Sequence, residues 1–146
     1  MADKFTYDFQ MAGYDFDRYD DKGSTDFENF VKEFRSFPWE SQAGQSNGGS
    51  EATISVKNIS NSTDLWVSVI GDSSEYAHLV GVVYEKEVRG MLGLGKPRNV
   101  RWVEIFIAEE SSTVEQLFKI FFDGNHTVLM TELSKLPKFS EIEARN

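Results

Sequence analysis

The apolar residues change their period twice along this chain, and each change narrows the folds open to it. Phe27, Phe30, Val31, Phe34 and Phe37 recur at helical spacing. From residue 53 the period becomes two. TISVKNI (53–59), DLWVSVIG (64–71), HLVGVVYEKEV (78–88) and NVRWVEIFIAE (99–109) are rich in Val, Ile and aromatic residues and read as four strands. Val114, Leu117, Phe118, Phe121 and Phe122 then restore a helical stripe. Parallel pairing needs long crossovers, so the short connections between strands favour an antiparallel meander. The expected fold class is α+β. It is a four- to five-stranded antiparallel meander with an N-terminal helix and two C-terminal helices packed on it.

Local signals place the element ends. Thr25-Asp26-Phe27-Glu28 has the form of a capping box, with Thr25 as the cap and Glu28 bonding back. Pro38 biases Phe37 away from helix and so ends that segment, with Trp39 packed beside the break. Ser112-Thr113-Val114-Glu115 has the same capping form. Gly124 suits a left-handed cap, and Asn125 opens a last helix through Val128, Leu129, Leu133 and Leu136 that Pro137 stops. FTYDF (5–9) alternates weakly and is a possible fifth, edge strand. Residues 1–24 otherwise read as an irregular acidic segment, and 138–146 as a frayed tail of one domain spanning 1–146.

Composition bounds the function. The chain has 146 residues, enough to bury a core without a metal or disulfide staple. Cysteine is absent, which removes thiol nucleophiles and cysteine-ligated zinc. There is no apolar run of membrane-spanning length and no signal-peptide core near the N-terminus, so the expected compartment is cytoplasmic. A net charge of −9 disfavours nucleic acid and anionic membranes and favours a basic partner.

Catalytic and metal motifs do not emerge. YDFDRYDDKG (14–23) packs four aspartates among three aromatic residues, but as a calcium loop it fails. Counted from Asp15, the sixth position is Asp20 where glycine is needed, and the twelfth is Asp26 where glutamate is needed. RGMLGLGKPRNV (89–100) resembles a phosphate loop only superficially, because Pro97 and a strand follow Lys96. It reads instead as a hairpin loop that leaves Met91, Leu92 and Leu94 at its tip as a possible contact site. His78 and His126 have no metal-type spacing. Lys86, Arg89, Lys96, Arg98 and Arg101 form a basic band that can meet an anion or RNA, a second subunit or the chain's own acids, with nucleic acid disfavoured by the overall charge. Trp66, Trp102 and Tyr84 are stacking platforms or sheet packing. The expectation is no catalytic site, no metal and no cofactor. A carboxylate enzyme and a self-associating module are the alternatives.

EFRSFPWESQ, TDLWVSVIG and GLGKPRNVRWVEIF look similar to blocks in bacterial immunity proteins of contact-dependent inhibition and polymorphic toxin systems. The likeness runs over residues 25–136 and carries no site residue by motif. It implies a protein that neutralises a cognate toxin domain, commonly a nuclease with a basic phosphate-binding surface. In that reading Asp15, Asp17, Asp20, Asp21, Asp26 and Glu28 face the partner. Tyr14 and Tyr19 are its anchors, and Met91, Leu92 and Leu94 a second contact. The expected state is monomer or homodimer. A plain solvated loop remains the competing account of YDFDRYDDKG.

Overall fold

The computed structural model describes residues 4–89 and 95–144. The expected contact at Met91, Leu92 and Leu94 lies outside those residues. The α+β class and the antiparallel sheet are as the periodicity requires, but the sheet has seven strands among the described residues, not four or five. They are β1 (Phe5–Gln10), β2 (Asp20–Ser24), β3 (Thr53–Asn58), β4 (Thr63–Asp72), β5 (Glu75–Val88), β6 (Arg98–Ala108) and β7 (Lys138–Glu143). Their order in space is β2-β1-β3-β4-β5-β6-β7. The four strands read from the sequence form the centre as a meander. The additions are at the rims. FTYDF, read as a possible edge strand, is β1 but lies one strand in from the edge; the rest of residues 1–24, expected to be irregular, supplies β2, and the expected frayed tail supplies β7. Both outermost strands are rich in charge: Asp20, Asp21 and Lys22 on one rim, Lys138, Glu141 and Glu143 on the other. Such strands lack the apolar alternation that marks a buried strand, and neighbours supply their pairing instead.

The helices are α1 (Phe27–Ser36), α2 (Trp39–Gln42), α3 (Ser111–Phe122) and α4 (His126–Leu133). The cap of α1 is Asp26, whose Oδ1 accepts from the Asn29 amide at 2.8 Å, so the box centred on Thr25 is displaced by one residue. A carboxylate at that point also suits the positive end of the helix. α3 begins at Ser111 after Glu110 and has no side-chain cap, contrary to the expected Ser112–Glu115 box. Asn125 does cap α4, accepting from the Val128 amide at 3.1 Å, and Gly124 takes a left-handed φ of 77°. After Pro38 the chain makes the unexpected short α2, whose Trp39 donates Nε1–H to the Phe34 carbonyl at 3.0 Å inside the core. The bond ties the break to the end of α1.

All four helices bury side chains against one face of the sheet. Phe30, Phe34, Trp39, Phe118, Phe121, Leu129 and Leu133 meet Ile54, Val56, Leu65, Val67, Val80, Val82 and Phe106 in a single core cluster. Phe30 is fully buried and stacks on Phe118 with ring centroids 4.0 Å apart. Strand alternation sends the intervening residues to the other face. The pairings align Asp21, Asp8, Ser55, Trp66, Gly81 and Ile105 in one row across six strands. The next row is Thr6, Lys57, Asp64, Val83, Val103 and Ile142. Among the described residues no helix packs on this face.

Candidate functional site

The helix-free face divides into two halves. Toward β5, β6 and β7 it is aliphatic, with Val83, Val103, Ile105 and Ile107 partly exposed and Ile142 exposed. Toward β1, β3 and β4 it is hollow. Ser55 and Ser68 are small residues between the larger Asp8, Trp66 and Leu79, and the gap is a cavity of about 510 Å³. Asp8, Gln10, Phe16, Tyr19, Glu51 and Trp66 line it with them. The described lining contains two carboxylates and no basic side chain.

The floor depends on a glycine. Trp66 lies across the neighbouring strand over Gly81, and a Cβ at Gly81 would collide with Cε2 and Cζ2 of the indole. Glycine in mid-strand is unfavourable by propensity, and close approach of a ring accounts for it here.

One wall is the loop between β1 and β2. Its position is fixed by hydrogen bonds. The Gln10 side-chain amide donates to the carbonyls of Phe16 and Arg18 at 3.1 and 3.0 Å. Gly13 N donates to the Ser50 carbonyl, Ser50 N to the Tyr14 carbonyl, and Ser50 Oγ to the Met11 carbonyl. Gly49 allows this docking, since a Cβ there would fall 2.6 Å from the Tyr14 carbonyl oxygen. YDFDRYDDKG is therefore a braced loop running into β2. From it Phe16 and Tyr19 project with 75 % and 59 % of their surface exposed.

The residues singled out from the sequence separate into groups. Tyr19 lines the cavity. Tyr14 is engaged within the same surface segment, donating its hydroxyl to Asp20 Oδ2 at 2.9 Å while the Arg18 guanidinium covers its ring at 3.9 Å. Asp15 and Asp17 are exposed on the loop. Asp21 is exposed on β2, pairs in register with Asp8, and accepts from the Gly23 amide at 2.9 Å. Asp26 caps α1 and Glu28 sits in its first turn. Neither shares a hydrogen bond or ion pair with the 14–21 loop among the described residues. Two members of the basic band meet the chain's own acids: Arg98 pairs with Glu143 at 3.3 Å and Arg101 with Asp64 at 3.2 Å. Lys86 lies over the Trp102 ring at 4.7 Å.

Asp8 is the residue that sequence reading missed. It is half-buried on β1, and burial followed by the nearby Asp64 and Asp21 carboxylates pushes its pKa up to about 6, against the pull of Lys57. Asp64 is also raised, by burial, although Lys57 and Arg101 oppose the shift, and its Oδ1 is buried with no hydrogen-bond partner. The sequence signal was the polar phase of FTYDF. It became informative only once the register placed Asp8 two strands from Trp66.

A second polar cluster lies on the helix side. Tyr84 donates to Glu104 Oε2 at 2.6 Å and Lys138 to Oε1 at 2.9 Å. The His126 ring is 5.3 Å from that of Tyr84. Burial pushes Glu104 up, but the bonds from Tyr84 and Lys138 outweigh it and hold the carboxyl below its usual range. Burial and the Glu104 bond push the Tyr84 phenol up, so it stays a donor. The satisfied carboxylate joins β7 to the sheet as a structural latch.

No group of three or more His, Asp or Glu among the described residues is placed to hold a metal ion. No helix among them is long and apolar enough to cross a membrane. The chain matches no family model, no curated protein and no solved structure.

Proposed function

We propose that this protein is an immunity protein that binds and neutralises the basic toxin domain, a nuclease, of a contact-dependent inhibition or polymorphic toxin system in the cytoplasm. The observation that carries the reading is the helix-free sheet face. One half is an acidic cavity rimmed by exposed aromatic residues, and the other half is aliphatic. Aromatic anchors beside apolar surface are what a protein interface uses for lifetime, and fixed charge is what it uses for encounter rate. The net charge of −9 adds long-range attraction to a phosphate-binding surface. Asp15, Asp17 and Asp21 supply the near field beside the cavity.

The test is co-expression with the toxin domain encoded beside its own gene, reading growth and nuclease activity. Protection by the wild-type chain, lost on replacing Val103 and Ile105 by Lys, supports the reading. Nuclease activity undiminished by a molar excess of folded protein overturns it. The aliphatic half also favours a second reading, self-association through that face. Sedimentation across a concentration series decides it, because a concentration-independent monomer removes the homodimer.

A further inference from the structure

We infer that the cavity between Asp8 and Trp66 is a receptor for a single arginine side chain, presented by the partner that docks on this face. The inference rests on the reading of that face as a protein-binding surface and names the group it takes.

Asp8 and Trp66 sit on β1 and β4, with only Ser55 of β3 between them in the same row. Strands lie about 4.8 Å apart, so the two backbones are two such spacings, roughly 10 Å, apart, and the indole leans away from Asp8 over Gly81. A planar cation entering above Ser55 would meet Asp8. Its N–H groups would donate to the carboxylate while Phe16 and Tyr19, from the loop wall, offered its plane aromatic surface. Guanidinium does both, whereas ammonium is a compact point charge that cannot stack. Trp66 supplies further aromatic surface on the far side of the cavity.

Charge sets the sign of the occupant. Glu51 is in the lining with Asp8, and the Asp64 and Asp21 carboxylates act on Asp8 from β4 and β2, opposed by Lys57 on β3. Both charged side chains of the described lining are carboxylates, which disfavours an anion. The chain's nearest arginine on the loop, Arg18, is already stacked on Tyr14, so it does not fill the space itself. The raised pKa of Asp8 fits a buried carboxylate that Lys57 does not fully offset, which leaves room for an added counter-charge. A group with perturbed ionisation in a cleft is more often functional than decorative.

The experiment needs no toxin. Nα-acetyl-arginine amide is titrated into the isotope-labelled protein, with the Trp66 indole signal assigned through Trp66→Phe. Nα-acetyl-citrulline amide, neutral and of nearly the same shape, is the control. The expected result is saturable shifts at the Trp66 indole and the Ser55 and Gly81 amides with arginine. Citrulline should bind at least about tenfold more weakly, and Asp8→Asn should weaken arginine by a similar factor, as the loss of one charge-assisted bond requires. Equal response to citrulline, unchanged affinity in the folded Asp8→Asn protein, or shifts confined to other surfaces would each overturn the assignment. The two readings fail separately. A toxin still neutralised by a protein that ignores arginine sinks this inference alone. A protein that binds arginine in the cavity and leaves the toxin active sinks only the proposed function.

Discussion

Replacing Asp8 by Asn should make the folded protein more stable at neutral pH. The neutral amide keeps the shape of the side chain and removes a charge that the fold opposes. The folded carboxyl titrates at about 6 against an ordinary 3.8. Its raised value means the stabilising, protonated form is fully present below the unfolded pKa. That contribution is lost as pH rises through about 6. Above that, Asp8 is ionised beside Asp64, Asp21 and Glu51, with Lys57 as the opposing charge. At one pKa unit per 1.36 kcal/mol, a fully enclosed group would account for about 3 kcal/mol. Asp8 is only half-buried, and solvent screening reduces the expected gain to about 1 kcal/mol. For a chain of this size that raises the melting temperature by about 3 °C. The assay is thermal or urea unfolding of both proteins at pH 7.5 and pH 4. The stability difference should appear at pH 7.5 and shrink toward zero at pH 4. No gain at pH 7.5, or an equal gain at both, would show that Asp8 is not electrostatically opposed in the fold.

Phe30→Ala removes a fully buried ring stacked on Phe118 and should cost about 3–5 kcal/mol, read as a lower urea midpoint with an unchanged slope. A loss under 1 kcal/mol would mean that the core repacks around it. Glu104→Gln weakens the latch to Tyr84 and Lys138 and should cost about 1–3 kcal/mol. Hydrogen exchange should then rise in β7 before the other strands, and uniform exchange would argue against a latch. Asp26→Ala should cost about 1 kcal/mol through loss of the α1 cap, and Thr25→Ala clearly less. Equal losses would restore Thr25 as the cap.

The centre of the molecule was legible in the sequence because burial leaves a period. The four inner strands and the stripe of α3 were visible from Val, Ile and Phe spacing alone. The rims were not. DDKGS and KFSEIE have the polarity of loops and become strands through pairing with β1 and β6, a tertiary effect no local pattern encodes. The site was half legible for the same reason. Tyr19 stood out as an aromatic residue among acids, but Asp8, Ser55 and Trp66 lie far apart in the chain. Antiparallel register alone brings them together. The capping error at Thr25 is smaller in kind: Thr25 and Asp26 are both competent caps, and one residue of phase decides between them.

The charged rims have a consequence for assembly. A sheet grows indefinitely when its outer strands offer flat, uncharged backbone to another copy. Asp20, Asp21 and Lys22 on one side and Lys138, Glu141 and Glu143 on the other make that growth unfavourable at both ends. What remains open is a face, and a face is consumed when something sits on it. Complexes built this way close at a fixed stoichiometry and do not polymerise, whatever the concentration of either member.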